Sequence, residues 1–184
     1  SPNIPFRGTI ATRHFRLGKL MAVPDLGDVS LRVSGKGELR EDGPYAHIQA
    51  TVSDFTYREY TYRNICLNGN MTRQSYDGEL TIDDENVQVH FTGLADFDKQ
   101  AAEMDFALSL DHFRPGALNL SEKYRHTEVS LRLRAHSVGL HVDQLNGYLI
   151  IDSLRLRNGR DSLMMQELEL VMQSDGPYKS LRLI

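Results

Sequence analysis

Through most of the chain, apolar and polar residues exchange places at every step. Val29, Leu31 and Val33 alternate with Ser30, Arg32 and Ser34, the pattern of a strand with one dry face and one wet face. Ile48, Ala50 and Val52 repeat it, as do Val87, Val89 and Phe91 against Gln88, His90 and Thr92. Met104, Phe106, Leu108 and Leu110 alternate with Asp105, Ala107, Ser109 and Asp111; Val129, Leu131, Leu133 and Ala135 alternate with Ser130, Arg132, Arg134 and His136. Leu168, Leu170 and Met172 form a last set, weakened by Val171 on its polar side. Shorter candidates are Ile4 to Ile10, Asn64 to Met71, Tyr76 to Ile82, Leu145 to Ile151, Leu154 to Leu156 and Leu181 to Leu183, which brings the count to about a dozen strands.

Turn chemistry falls between these runs at Glu41 to Pro44, Asp83 to Asn86, Asn158 to Asp161 and Asp175 to Pro177, as antiparallel hairpins require. Gly35-Lys36-Gly37 reads as a further turn. Helical spacing is hinted at only by Met164, Met165, Leu168, Val171 and Met172, a window too short to lay a helix over a sheet. One helical turn is expected at Phe15 to Met21, stopped by Pro24-Asp25-Leu26-Gly27, and an irregular plug or corner from Asp111 to Tyr124. The topology expected is mostly up-and-down antiparallel, in one unit spanning 1–184.

Glycine recurs on the apolar register in Phe6-Arg7-Gly8-Thr9-Ile10, Leu67-Asn68-Gly69-Asn70-Met71, Tyr76-Asp77-Gly78-Glu79-Leu80, Phe91-Thr92-Gly93-Leu94-Ala95 and Leu145-Asn146-Gly147-Tyr148-Leu149. A mid-strand glycine costs roughly 0.5–1 kcal/mol relative to alanine, so its repetition on one face needs a steric or curvature reason. A sheet bent into a U, whose walls approach at the bend, supplies one; bulges or tight sandwich corners supply another.

Composition leaves few chemical options. The chain has 184 residues, 40% hydrophobic and 25% charged, enough for one core and not the profile of a disordered chain. With 21 Lys+Arg against 25 Asp+Glu, no strong positive field invites nucleic acid. No apolar run approaches the roughly 20 residues of a membrane-spanning helix, and the first residues lack the parts of a signal peptide. Cys66 is the single cysteine; it falls between Ile65 and Leu67 on the opposite strand face, with no Cys-His pattern around it. His136 and His141 lie across a Gly139 turn, and Asp143 shares a strand face with His141, but no further ligand is evident. Asp83-Asp84-Glu85 lacks calcium-loop spacing and reads as a solvated turn. Tyr57, Tyr60 and Tyr62, with Arg58 and Arg63, read as sheet-surface pairs rather than a base-stacking platform. Neither a catalytic site, a metal nor a cofactor is expected.

Several stretches together resemble a known family. Phe6-x-Gly-x-Ile, Leu17-Gly18-Lys19-Leu20, Pro24-Asp25-Leu26-Gly27, Val29 to Gly35, Tyr62-x-Asn64-Ile65 to Gly69, Tyr76-x-Gly78-x-Leu80, Ile82-Asp83-Asp84 to Asn86 and Phe91-x-Gly93-x-x-Asp96 are similar to the TamB branch of the AsmA-like envelope proteins. Gly139-Leu140 to Ile151 and Lys179-Ser180-Leu181 continue the likeness, which covers nearly the whole chain. Members carry an amino-terminal membrane anchor and a longer carboxy-terminal region, so the chain is expected to be a middle segment of a larger protein.

The resemblance implies an elongated, strongly curved antiparallel sheet, U-shaped and open along one side, with one or two short helical turns. Its apolar interior would carry phospholipid or other acyl-chain lipid between inner and outer membranes, in the periplasmic part of an inner-membrane-anchored protein of a Gram-negative envelope. The lining expected is Val29, Leu31, Val33, Ile48, Val52, Leu67, Leu80, Val87, Val89, Phe91, Phe106, Leu108, Leu110, Leu131, Leu133, Leu149, Ile151, Leu168 and Leu170. The alternatives are a scaffold that works with an outer-membrane assembly protein by adding strands to a free edge, and a plain structural β sandwich. Edge-to-edge pairing between copies is expected of such a segment.

Overall fold

The computed structural model describes residues 3–41, 43–97, 102–139, 146–175 and 178–183. Eleven strands and one short helix follow in order: β1 (Ile4–Arg16), α1 (Leu17–Met21), β2 (Leu26–Arg40), β3 (Gly43–Tyr57), β4 (Tyr60–Met71), β5 (Ser75–Asp84), β6 (Val87–Asp96), β7 (Glu103–Phe113), β8 (Thr127–Val138), β9 (Asn146–Asn158), β10 (Asp161–Asp175) and β11 (Tyr178–Leu183). Each strand pairs antiparallel with its neighbours in sequence, giving one meandering sheet in the order β1 to β11. The sheet does not close into a barrel. The protein is therefore all-β, with the short hairpin turns that the alternating pattern demands.

The strands are longer than the alternating runs suggest, and the excess has a physical cause. β9 joins the two expected strands at Leu145 and Leu154 into one: its inward residues change from odd (Leu149, Ile151) to even (Leu154, Leu156) across Asp152 and Ser153, where the register with β8 shifts. β10 changes parity in the same place, between Met165 and Leu168, at Glu167 with φ 57°. A bulged residue of this kind switches the side-chain face and breaks strict alternation. The apparent helical spacing of Met164 to Met172 is this bulge, and the segment is strand throughout.

Similar kinks occur at His14 in β1 (φ 48°), Asn64 in β4 (φ 52°) and His112 in β7 (φ 52°), and the register between β2 and β3 shifts at Ser53. Histidine and asparagine enter this left-handed region more readily than branched residues. The freed backbone groups are caught locally: the Ser30 hydroxyl accepts the His14 amide at 3.0 Å, and the Asn64 side-chain amide donates to the Asp83 carbonyl at 3.0 Å. Bulges bend the strand that carries them and increase its twist, so this line of kinks gives the sheet its curvature.

Three expectations are corrected by the register. Gly35-Lys36-Gly37 is not a turn; it lies inside β2, with Gly35 opposite Gly8 and Ile48. The irregular stretch starts at Arg114, since Asp111 to Phe113 still belong to β7, and the helical turn starts at Leu17, since Phe15 and Arg16 end β1. An added Cβ at Gly69, Gly78, Gly93 or Gly147 would meet the adjacent strand. A Cβ at Gly78 would sit 2.4 Å from the Asn68 carbonyl oxygen and 2.6 Å from the Gly69 Cα, both on the adjacent strand. Gly69 and Gly78 thus allow β4 and β5 to coil closely past one another.

The connections after β1, β3, β5, β7 and β9 gather at one end, here called the lower end, and are tied together. The Arg58 amide donates to the Asp25 carbonyl at 2.8 Å, Asn119 Nδ2 to the Arg58 carbonyl at 2.9 Å, the Arg114 amide to the Asn86 carbonyl at 3.0 Å, and the Gly159 amide to the His126 carbonyl at 3.4 Å. The 114–126 loop buries Leu118 completely. Elsewhere full burial is scarce: among the described residues only Val29, Ala46, Val87, Ala102 and Leu118 are buried hydrophobics. The accessible surface is 12808 Å², against about 9,000 Å² for a compact monomer of this mass. Among the described residues the strands form a single sheet layer with no second layer over it, which accounts for the excess. The expected turn at Asp42, the residues Leu140, His141, Asp143 and Leu145, and Gly176-Pro177 lie outside the described residues.

Candidate functional site

Residues directly opposed on neighbouring strands share a face, so the register can be followed across the sheet. One row runs Leu31, Val52, Ile65, Ile82, Val89, Leu110, Leu131, Leu154, Met165, from β2 to β10. The next runs Ile10, Val33, Ala50, Leu67, Leu80, Phe91, Leu108, Leu133, Ile151, Leu168, from β1 to β10. A third contains Gly8, Gly35, Ile48, Gly69, Gly78, Gly93, Phe106, Ala135, Leu149 and Leu170. Towards the lower end Val29 meets Phe15 and Phe55, and Val129 meets Phe113 and Leu156. Val87 lies at the start of β6, opposite Asp84.

All nineteen residues expected to line the interior therefore lie on one face of one sheet. Val29 and Val87 are buried; the other seventeen are only part-buried, covered by their own neighbours in the sheet rather than by another layer. Phe91 and Phe106 pack with ring centroids 5.6 Å apart, widening the apolar strip where the third row is glycine-rich.

The opposite face is polar. Arg32, Thr51, Cys66, Thr81, His90, Ser109, Arg132, Ser153 and Gln166 form one continuous row across it. Its polar groups meet across strands: His90 Nε2 lies 2.7 Å from Glu79 Oε1, Arg134 makes two bonds to Asp152 at 3.0 and 2.6 Å, and His136 Nδ1 lies 3.2 Å from Asp105 Oδ2. The Arg134 hydrogen bond holds the Asp152 carboxyl below its ordinary range. Cys66 is exposed on this face. Leu94, Tyr148, Ile150, Met164 and Val171 are among the apolar exceptions, with Tyr148 stacked on the His136 ring at 5.8 Å.

The charged chemistry of the apolar face lies at its lower end. Asp84 is buried, accepts a hydrogen bond from the Tyr60 hydroxyl, and accepts the amides of Arg63 at 3.1 Å and Asn86 at 3.0 Å. Desolvation, then the Asp84 bond, pushes the Tyr60 phenol up, and desolvation does the same to Tyr62. Tyr60 and Tyr62 are thus packed into a corner with rings 4.9 Å apart, not displayed as surface pairs. Asp84 ties the β3–β4 turn to the β5–β6 turn; with three donors already bound it is a clasp, not an acid or base in waiting. Nearby, Glu128 accepts Arg114 Nε at 2.9 Å and Arg157 at 3.3 Å. The Arg114 bond foremost holds its carboxyl low.

The lining expected from the sequence does not name Ile65, Ile82, Leu154 or Met165, although Ile65 is set there on the face of Leu67. For the first two the signal was present, since each keeps step with Leu67 and Leu80 by two residues. For the last two the bulges at Asp152 and Glu167 hide it. The Asp84 clasp has no local signature, because Tyr60 lies 24 residues away. Among the described residues, no group of three or more His, Cys, Asp or Glu is placed to hold a metal ion, and no helix is long and apolar enough to cross a membrane.

Compared with protein-family models, curated proteins and solved structures, the chain finds no match.

Proposed function

We propose that the apolar face binds the acyl chains of lipids and forms part of a path along which they move, in the manner of the envelope proteins that the sequence resembles. The observation that carries this reading is the run of aliphatic rows across nine and ten strands without a covering layer. Nine strand spacings of about 4.8 Å make the face roughly 43 Å long. One acyl chain spans about half of the roughly 30 Å hydrocarbon core of a bilayer, so the face accommodates about three chains end to end. Rows two residues apart lie about 7 Å from one another along the strands, and three rows are wide enough for chains side by side.

Such a face needs no reactive group. Each methylene that leaves water contributes roughly 0.8 kcal/mol whatever its position, so uniform aliphatic rows bind tails without fixing them in one place. The glycine-rich third row keeps the floor low between the bulky side chains of Ile48 and Phe106. The polar opposite face, with its cross-strand ion pairs, stays in water.

Photocrosslinking tests the reading. A phospholipid with a photoactivatable tail should label the wild-type protein, and Leu131→Glu and Phe91→Arg should reduce the labelling by placing a charge among the tails. Arg132→Glu, one residue away on the wet face, should leave it unchanged. Equal labelling of all three folded variants contradicts the proposal.

A second reading, a scaffold that accepts a strand from another protein, is favoured by β1. Among the described residues no strand pairs with its far edge, and Ile4, Phe6 and Ile10 on it are 59%, 42% and 68% exposed. An added strand would cover them. Addition of an extended peptide of alternating apolar residues should then protect the β1 amides from hydrogen exchange while lipid labelling persists.

A further inference from the structure

The connection between β1 and β2 presents a second apolar surface, apart from the face described above. α1 has no buried residue. Leu20 is 71% exposed, Met21 58% and Val23 37%. Exposed apolar side chains grouped in this way on a projecting connection mark a contact surface.

The helix is fixed in this attitude by its backbone. A Cβ on Gly18 would lie 1.8 Å from the Leu26 carbonyl oxygen, so this side of α1 is pressed against the start of β2. The Val23 amide donates to the Gly18 carbonyl at 3.0 Å, and the Leu26 amide to the Val23 carbonyl at 3.2 Å. At 3.6 residues per turn, Leu20 stands nearly opposite Gly18 and points away from the sheet. Folding Leu20 back onto β2 would require the helix to turn over.

The charge around this tip has one sign. Residues 13–23 carry Arg13, Arg16 and Lys19 and no acid, in a chain whose formal charge is −4. All three cations are exposed. Of the nearest carboxylates, Asp25 is engaged by Arg58 at 3.1 Å, and Asp28 is the register partner of Arg16. An apolar tip within a cationic collar is complementary to an anionic bilayer, in which the tip enters the acyl region and the cations meet the headgroups.

We infer that residues 13–23 form a docking site for an anionic lipid bilayer, with Leu20 and Met21 as the inserted side chains and Arg13, Arg16 and Lys19 as the headgroup contacts. The site goes beyond the tail-binding face: it grips the membrane surface, whether or not the face carries lipid.

The sequence contains no tryptophan, so Leu20→Trp installs a single fluorescent reporter at the tip. Its emission should shift to shorter wavelength and be quenched by brominated acyl chains with equimolar phosphatidylcholine–phosphatidylglycerol vesicles, and hardly at all with phosphatidylcholine alone. Three cations predict a preference on the order of a hundredfold. A tryptophan placed by Thr81→Trp, on the wet face, should not respond. In cosedimentation with the anionic vesicles, the pair Leu20→Asp with Met21→Asp and the pair Arg13→Glu with Lys19→Glu should each lose at least tenfold in binding. Cys66→Ser, on the wet face, should bind vesicles like wild type. An unshifted Leu20→Trp spectrum overturns the inference. So does vesicle binding unchanged in both paired variants, or a self-associated species that depends on Leu20 and Met21 in a protein that ignores vesicles.

Discussion

Three glycines on the same row of the same face should not respond alike to the same substitution: Gly78 should lose stability where Gly8 and Gly35 gain it. A Cβ at Gly78 would approach the Asn68 carbonyl oxygen to 2.4 Å, where ordinary contact begins at 3.4 Å, and would also meet the Gly69 Cα and the Tyr76 hydroxyl at 2.6 Å. The deficit of about 1 Å falls mainly on backbone, so β4 and β5 must separate or slide where they pair. Overpacking of this order costs typically 1–3 kcal/mol, from which the 0.5–1 kcal/mol that alanine gains over glycine in the unfolded chain must be subtracted. Gly78→Ala should therefore lose about 1–2 kcal/mol. At Gly8 an added Cβ meets nothing within 4 Å, and at Gly35 the nearest atom is the His47 carbonyl oxygen at 3.9 Å. Gly8→Ala and Gly35→Ala should gain up to about 1 kcal/mol. Urea denaturation, with the midpoint and slope fitted together, reads the difference. The close coiling of β4 past β5 is refuted if Gly78→Ala is as stable as wild type, or if Gly8→Ala is destabilised by the same amount.

Leu118→Ala, at the fully buried seat of the 114–126 loop, should cost about 2–5 kcal/mol, whereas Leu163→Ala, at a side chain 57% exposed, should cost under about 1 kcal/mol; equal costs would mean the loop is not anchored. Glu167→Gly, at φ 57°, should stabilise by about 0.5–1 kcal/mol, and Glu169→Gly, in ordinary strand, should destabilise by a similar amount; shifts of the same sign would remove the bulge. The lowered Glu128 carboxyl contributes stability that is present above its unfolded value of about 4.3 and is lost as pH falls through the lower folded value. The stability gap between wild type and Glu128→Gln should accordingly shrink between about pH 5 and pH 3, and a gap constant across that range would show that Arg114 does not set the carboxyl.

Strand order, faces and fold class were legible because a strand's period of two leaves its mark on every unkinked segment: Val29 to Ser34, Val87 to Thr92 and Val129 to His136 all lie within strands and face as their alternation says. Legibility failed where one residue changes the parity. Asp152 and Glu167 made one strand look like two and another look faintly helical, and nothing in a glutamate's chemistry announces a left-handed backbone. Gly35-Lys36-Gly37 was misread because paired glycines are turn chemistry, although Val29, Leu31 and Val33 lead straight into Gly35 and Gly37 in the same step. The glycine rows were visible as a pattern, but their cause was not, since a clash with the adjacent strand's carbonyl depends on coiling that no spacing records. Of the lining, the residues in unkinked strands were legible, and Leu154 and Met165 were not. The exposure of Leu20 and Met21 follows from the close approach of Gly18 to Leu26, a tertiary contact that the local sequence does not show.

The central claim, that the uncovered apolar face takes up lipid tails, is tested most directly by native mass spectrometry of the protein after incubation with phospholipid vesicles and removal of free lipid. The account predicts that wild type and Arg132→Glu carry phospholipid, with up to about three chains' length of face to fill, and that Leu131→Glu combined with Leu133→Glu carries none while keeping its β spectrum. Wild-type protein that emerges bare, or a doubly charged variant that emerges as loaded as wild type, would contradict it.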